Sequence, residues 1–416
     1  MERVERLICS VKNYDWGKFG PNSEVYRLYV ANCGDLVVDS NKPYAELWMG
    51  THGSGSSYIE GSEGKTLKNW IEEHPYVLGD NVLDKYGCDL PFLFKVLSVA
   101  KPLSIQAHPC KELAKKLHFR YPNVYTDGNH KPEMALAITE FEVLCGFVGL
   151  KDLQNILDSV PEISQLVDSD VVDRIANIDP KDGEDEVKAA LRQLFTQIMS
   201  ASDYVIVKAL SQLIDRLRKK DELTSIEKLV LRLEPQYPGD VGLLAAFLMN
   251  YVTLKPGEGL CLGENELHAY VSGDCIECMA TSDNVVRAGL TSKHRDVNTL
   301  CQMLTYKQGH PEILRGFNVE GSNGCIKRYC PPFEEFEVDH CDLSEGRPTT
   351  FPTVSGPSLF LVTRGTGTII TAGSSDEKII KVGDVLFATA GIALSVSSNE
   401  TRQLEIYRAG INSMFL

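Results

Sequence analysis

The chain has 416 residues, of which 43% are hydrophobic, and a formal net charge of −15. This length predicts about two to four domains, and we expect three. The acidic balance, with no run rich in Lys or Arg, argues against binding to nucleic acid phosphates or anionic lipid surfaces.

The N-terminus and the cysteines indicate in which cellular compartment the protein is expected to occur. Residues 1–6 carry charges of both signs and no apolar region follows, so no secretory signal is predicted. The longest apolar stretch, Leu243 to Met249, is too short to cross a bilayer. Twelve scattered cysteines are typical of reduced, buried side chains, and the one CxxC pair, Cys275 and Cys278, has no partner pair at zinc-ribbon spacing. We expect a cytoplasmic protein.

Residues 1–149 have the short β-branched and aromatic runs of a β domain, such as Pro91 to Val99. Just after that run, alternation places Ser104, Gln106 and His108 on one face of a strand. The polar face lines either solvent or the mouth of a barrel. The apolar run before it disfavours the alternative of an exposed edge strand.

The segment Asn129 to Glu133 places a cation and a carboxylate two residues apart. On an extended segment before proline, Lys131 and Glu133 point to the same side. A solvated surface pair is the plainer alternative.

Residues 150–249 change to helical periodicity. Two apolar runs at helical spacing are Val187, Leu191, Leu194 and Ile198, and Val207, Leu210, Ile214 and Leu217. Thr224 and Glu227 form a capping box before a third run. We predict a helical domain inserted between residues 1–149 and 250–315, which together form one β domain.

After the helical insertion the sequence again has the pattern of β-strands, and this part of the chain contains an internal repeat. Lys255-Pro256-Gly257-Glu258 is followed by His268, and Lys381-Val382-Gly383-Asp384 is followed at the same distance by Leu394. Both resemble the second motif of cupin barrels, which ends in a metal-binding histidine. A common turn between strands is the alternative. The predicted fold is mainly β with an α-helical insertion: tandem cupin (jelly-roll) barrels plus a helical domain, with residues 316–416 forming a metal-free C-terminal cupin domain.

Four side chains form a candidate metal site: Gln106, His108, Glu133 and His268. Two imidazoles, a carboxylate and an amide oxygen suit Zn²⁺ with an open position, although Mn²⁺ or Fe²⁺ is also compatible. We expect one Zn²⁺ per chain. The other histidines are interpreted as structural, and His130 stays unassigned.

Longer motifs give a specific resemblance. The segments Gln106-Ala107-His108-Pro109, Tyr125-x-Asp127-x-Asn129-His130-Lys131-Pro132-Glu133, and a long ungapped run from His268 to Thr291 resemble type I mannose-6-phosphate isomerases. The likeness covers nearly the whole chain and is weakest in the helical insertion. One departure is Ser292, which stands where the family has a proline before Lys293.

The resemblance implies a zinc enzyme that interconverts mannose 6-phosphate and fructose 6-phosphate through an enediol. It implies catalytic roles for Glu277 as the proton-transfer base, Arg287 as the stabiliser of negative oxygen, and Lys293. The substrate-binding candidates are Ser104, Lys131 and Tyr270; Ser104, Lys131 and Lys293 suit the phosphate, and Arg287 is an alternative there. Each of Trp16, Glu46 and His52 either lines the substrate pocket or has a structural role. The metal either polarises the carbonyl or positions the sugar.

Two other functions remain as hypotheses. A cupin dioxygenase would use two histidines and a carboxylate to bind Fe(II). Its reaction with oxygen would have no use for the cationic residues that suit a phosphate group, which argues against this function. A sugar-binding cupin would use the same pocket residues to bind a sugar without converting it. The expected partner is a small sugar phosphate, with no nucleic acid and no membrane, and the protein is expected to be a monomer.

Overall fold

The structure is a computed structural model that describes residues 3–34, 38–179, 181, 183–343, 348–371, 377–399 and 403–415. The elements before residue 150 are β1 Val4–Ile8, β2 Ser10–Lys12, β3 Lys18–Phe19, α1 Glu24–Cys33, β4 Pro43–Tyr44, β5 Glu46–Met49, β6 Tyr58–Ile59, α2 Leu67–Glu73, α3 Asp80–Tyr86, β7 Phe92–Val99, β8 Ile105–Ala107, α4 Lys111–Arg120, β9 Glu133–Ala137 and β10 Phe141–Phe147. Of these strands, β2, β5 and β7 to β10 belong to the first barrel.

A helical unit follows β10. Its helices are α5 Leu150–Ser159, α6 Pro161–Ser164, α7 Ser169–Asn177, α8 Glu184–Ser200, α9 Asp203–Leu217, α10 Ser225–Leu233 and α11 Gly242–Ala245. The apolar repeat predicted in α8 is buried, and α10 begins with the predicted capping box of Thr224 and Glu227. The second apolar run also lies on one helix, α9, in which Val207 is 51% exposed and Ile206 faces the core. The buried stripe of α9 therefore begins one residue earlier.

The chain then returns to the first barrel. The returning elements are β11 Met249–Leu254, β12 Gly259–Leu262, β13 His268–Ala280, β14 Val286–Gly289 and α12 Val297–Met303. One layer has the strand order β11-β10-β13-β7-β5-β2, while β9 pairs with β12 and β8 pairs with β14. The long strand β13 contacts β7, β8, β9 and β10. It therefore joins the strands that carry the polar site residues.

The C-terminal barrel consists of β15 Phe317–Asn318, β16 Ile326–Tyr329, β17 Glu337–Leu343, β18 Thr349–Phe351, β19 Ser358–Arg364, β20 Thr366–Thr371, β21 Glu377–Lys381, β22 Val385–Ala388, β23 Leu394–Ser398 and β24 Leu404–Gly410. One sheet has the order β15-β16-β17-β24-β19-β22-β1-β6 and the other β18-β23-β20-β21. The first strand of the chain thus lies in the C-terminal sheet, because β1 pairs with β22 from Val4↔Ala388 to Leu7↔Val385. Val4 packs inside this barrel and Leu7 packs between the two barrels.

An apolar core joins the two barrels. The outward faces of β7 and β13, represented by Phe94 and Ile276, pack with Leu359 and Phe387 from the C-terminal sheet. All these side chains are buried. Burial of apolar surface on both sides holds the barrels together.

The internal repeat is structural. Gly257 and Gly383 both have a positive φ, of 81° and 85°, in turns that connect strands. In each copy the acidic residue accepts a hydrogen bond from the first lysine's amide: Glu258 from Lys255 at 3.0 Å and Asp384 from Lys381 at 2.8 Å. Corresponding strands follow, and they begin at His268 and at Leu394. Leu394 is buried among apolar side chains of the second barrel.

The cysteines are all free. Cys275 packs inside the first barrel and Cys278 packs between the barrels, so the two thiols lie on opposite faces of β13. Among the described residues, no helix combines the length and the apolar character that a membrane crossing requires.

Candidate active site

Three segments of the first barrel bring a buried cluster together. His108 follows β8, Glu133 begins β9 and His268 begins β13. The Nε2 atom of His108 lies 3.2 Å from Oε1 of Glu133, and the Nε2 atom of His268 lies 3.5 Å from Oε2 of the same carboxylate. One ligand atom from each residue lies within 4.8 Å of the others. The cluster has the size of a single metal site.

The two imidazoles are oriented for metal binding. Nδ1 of His108 donates to the backbone oxygen of Asn284 at 2.6 Å, and Nδ1 of His268 lies 3.1 Å from the backbone oxygen of Glu266. The buried Nε2 atoms form no hydrogen bond with the part of the chain that the structure describes. Burial, together with the charge of Lys131, lowers the pKa of His108 to about 4, which leaves it neutral. Such histidines fit a cation, and backbone acceptors of this kind orient metal ligands.

Gln106 lies beside this cluster on β8. Its backbone pairs with His268 on one side and with Arg287 on the other. Its Oε1 atom accepts a hydrogen bond from the Ser104 hydroxyl at 3.3 Å. Neighbouring residues across a sheet share a face, so Gln106 can supply an amide oxygen next to His268.

The Glu133 carboxylate contacts a lysine and a tyrosine in addition to the two histidines. Nζ of Lys131 lies 2.9 Å from its Oε1 atom, and the Tyr270 hydroxyl donates to its Oε2 atom at 3.2 Å. Burial alone would raise the pKa of Glu133, but Lys131 and the two histidines hold it well below its usual range. The carboxylate is therefore ionised.

A second buried charge cluster includes a residue that the sequence analysis missed. Nζ of Lys95 lies 2.9 Å from Glu277 and 3.4 Å from Glu46, and Glu46 also accepts from the Trp48 indole at 2.5 Å. Lys95 and Glu277 are directly paired across β7 and β13. The available signal was that Lys95 is the only charged residue of strand β7, in which every other residue except Ser98 is apolar.

A bulge in β13 brings both clusters to one face. His268 and Glu277 are an odd number of residues apart, so a regular strand would point them in opposite directions. Glu142 on β10 pairs with Ser272 while the next residue, Val143, pairs with Tyr270, which leaves one extra residue in β13. This extra residue reverses the alternation, so Tyr270 and Glu277 both face inward.

The remaining cations differ in their surroundings. Arg287 on β14 is half-buried, burial lowers its pKa, and its guanidinium makes no ion pair or hydrogen bond within the described ranges. Lys293 is exposed in the loop after β14, and its side chain makes no such contact with the clustered residues. The carboxylate of Asp240 accepts hydrogen bonds from the amides of Leu290 at 2.7 Å and Thr291 at 3.0 Å. The helical unit therefore anchors the loop that carries Lys293.

The other pocket candidates lie near the Lys95 cluster. The His52 ring packs edge-on against Trp48 at 5.0 Å, and its Nε2 atom lies 3.4 Å from Asp283. Trp16 stacks on Tyr14 at 5.9 Å. Nζ of Lys95 lies 5.1 Å from the centre of the Trp48 ring, so the Trp48 and His52 pair lies beside the Lys95 cluster.

Comparisons with known proteins agree over the full chain. Models of phosphomannose isomerase type I match residues 4–150 (catalytic domain), 166–249 (helical insertion domain) and 329–374 (C-terminal). Mannose-6-phosphate isomerase 1 of Arabidopsis thaliana is 56% identical, covering 100% of this chain and 95% of that protein. The human mannose-6-phosphate isomerase is 40% identical, covering 98% of each. A solved mannose 6-phosphate isomerase bound with zinc and yttrium has a TM-score of 0.82 at 26% identity, covering 98% of this chain and 99% of the other.

Proposed function

Because the chain belongs to the type I phosphomannose isomerase family and is an isomerase, we propose that it interconverts mannose 6-phosphate and fructose 6-phosphate with one bound Zn²⁺. The names of its relatives support mannose 6-phosphate as one of the two sugar phosphates. The observation that carries the proposal is the buried His108, Glu133 and His268 cluster with two unpartnered Nε2 atoms. Gln106 is the proposed fourth ligand.

Charge balance supports a divalent cation. The interior holds the carboxylates of Glu46, Glu133 and Glu277 and the ammonium groups of Lys95 and Lys131. With all five ionised, their sum is −1, and buried net charge is costly. A bound Zn²⁺ would offset this charge and supply a Lewis-acidic site for sugar oxygens.

Glu277 is the proposed proton-transfer group. The reaction removes the proton on C2 of the open-chain aldose and leaves the electron pair in a C1–C2 enediolate; a hydroxyl proton moves from O2 to O1, and a proton returns to C1. Burial raises the pKa of Glu277, and the nearby Glu133 adds to this although Lys95 opposes it. A carboxylate with a raised pKa is a stronger base. Lys95, at 2.9 Å, fixes its orientation.

Cations at the barrel mouth are proposed to bind the anionic parts of the substrate. Arg287 has a guanidinium without a protein partner among the described residues and is suited to the enediolate oxygen or to the phosphate. Ser104, Lys131 and Lys293 are proposed for the phosphate, and Tyr270 is proposed to contact the sugar. Lys293 is also proposed as a catalytic residue, and because it is exposed this role requires its loop to move onto the substrate.

The deciding experiment is a coupled assay for fructose 6-phosphate formed from mannose 6-phosphate. Protein is assayed as purified, after chelation, and after addition of Zn²⁺. We expect activity to disappear on chelation and to return with Zn²⁺. Metal-replete protein without activity would contradict the proposal; iron content with oxygen uptake would then favour a dioxygenase, and sugar binding alone would favour a binding cupin.

We also propose that the protein is a monomer and that it is located in the cytoplasm. Twelve free cysteines suit a reducing compartment.

A further inference from the structure

His130 forms a charged bridge between two glutamates. Its Nδ1 atom lies 2.5 Å from Oε1 of Glu264, and its Nε2 atom lies 2.6 Å from Oε1 of Glu335. A neutral imidazole has only one N–H, so two donated hydrogen bonds require the imidazolium. Glu335 is only 2% exposed. This bridge plays no part in the proton transfer described above.

The bridge joins the segments that carry the candidate metal ligands. His130 lies three residues before Glu133, and Glu264 lies four residues before His268. The same Oε1 atom of Glu264 accepts from the backbone N–H of Lys111 at 3.2 Å, just after the segment of His108.

Asn265 adds two hydrogen bonds to this junction. Its N–H donates to the backbone oxygen of His108 at 2.7 Å, and its Oδ1 atom accepts from the Cys110 amide at 3.1 Å. Asn265 has a φ of 60°, a conformation that Asn tolerates better than most residues. All three ligand-bearing segments therefore meet at the loop of Glu264 and Asn265.

Glu335 reaches this junction from the other barrel. It lies between β16 and β17 in the C-terminal barrel, whereas His130 and Glu264 belong to the first barrel. We propose that His130 and Glu335 are positioning residues, through which the C-terminal barrel holds the ligand-bearing segments together and slows the release of the metal. This inference rests on the proposed metal-dependent function. It gives the C-terminal barrel a role in the site without a ligand of its own.

The test measures the rate at which Zn²⁺ passes from the full-length protein to a chromogenic chelator. Glu335→Gln keeps the shape of the side chain and removes its charge, and His130→Gln removes the bridge. Outer residues that orient ligands change metal affinity by about 10–100-fold, so we expect release to be faster by roughly 10-fold or more. In the His130→Gln background, Glu335→Gln should add little, because the two residues act as one unit.

Glu405→Gln is the matched control. Glu405 pairs with His340 at 2.9 Å within the same C-terminal barrel, so this variant also removes a carboxylate from a histidine. It should destabilise the barrel without changing Zn²⁺ release. Release at the wild-type rate from Glu335→Gln, or equal acceleration by Glu405→Gln, would overturn the inference. Wild-type protein that binds no Zn²⁺ would instead overturn the proposed function.

Discussion

The ion pair of Lys95 and Glu277 illustrates how single residues set the chemistry of the site. Burial alone would lower the pKa of Lys95, but Glu277 and Glu46 raise it above its ordinary value. The ammonium therefore keeps its proton at neutral pH, while burial raises the pKa of Glu277. Glu277 is consequently the member of the pair suited to exchange a proton with a substrate.

Substitution of Glu277 by Gln tests this assignment. Loss of a positioned base costs about 10²–10⁴-fold in rate, so we expect kcat to fall by that factor. Zn²⁺ content should stay the same, because Glu277 is outside the ligand cluster. Steady-state kinetics and atomic absorption measure both quantities.

Glu162→Gln provides a control for the loss of a carboxylate. Glu162 is buried on α6 in the helical unit and pairs with Arg216 at 2.7 Å, away from the strands that carry Lys95 and Glu277. It should retain nearly full kcat. If Glu277→Gln loses Zn²⁺ together with activity, Glu277 has a structural role instead.

The sequence analysis could propose those site residues that stand in an informative local pattern, and the structure brings His108, Glu133 and His268 together. The alternation around Gln106 and His108 and the short spacing of Lys131 and Glu133 are visible within a few positions. Lys95 was missed because its partner Glu277 is 182 residues away. A lone lysine in an apolar strand indicates that a partner exists, but only the folded sheet identifies it.

At the scale of elements, the bulge in β13 decides which residues can act together. Without the extra residue, Glu277 would lie on the face opposite His268. Gly273 follows this irregularity with a φ of 114°, and a Cβ there would meet the Glu140 oxygen at 2.4 Å. The resemblance to a family placed Glu277 in the site, whereas strict alternation along the strand would have excluded it. Bulges have no reliable local signal apart from glycine.

A second element-scale feature is the junction of the helical unit with the loop after β14. We predict that Asp240→Asn raises the KM for the sugar phosphate several-fold, with a smaller change in kcat. Asp240 accepts hydrogen bonds from three amides, including Leu290 and Thr291, and an amide side chain cannot satisfy them all. Loss of these bonds would loosen the loop of Lys293.

Asp203→Asn is the control for this prediction. Asp203 lies 4.0 Å from Arg295 of the same loop, but its side chain is 96% exposed. Exposed pairs contribute little, so its steady-state kinetics should match those of the wild type. An unchanged KM in Asp240→Asn would show that this anchor does not affect phosphate binding.

At the scale of the whole molecule, the two barrels share strands and contacts. The repeated turn at Gly257 and Gly383 allowed the second barrel to be predicted from sequence. The position of β1 was not predicted, because its partner β22 lies about 380 residues later and strand pairing at that separation leaves no local pattern. The bridge from Glu335 to His130 was hidden for the same reason.

This bridge should make stability depend on pH. Burial opposes the charge on His130, but Glu335 and Glu264 raise its pKa above the ordinary value of 6.5. Lys111 is the other charged group that acts on Glu335. Because the folded state binds the proton more tightly, the stabilisation is complete below the unfolded pKa and is lost as pH rises through the folded pKa.

Denaturant unfolding of chelator-treated protein tests this sign. At about pH 6 we expect His130→Gln to lower the free energy of unfolding by about 2 kcal/mol, the range for hydrogen bonds to charged groups. The difference between wild type and variant should shrink toward about pH 9, since the imidazolium is then lost from the wild type. Groups that titrate equally in both proteins cancel in this difference. A difference that stays constant, or that grows as pH rises, would contradict the charged state that we assign to His130 in the folded protein.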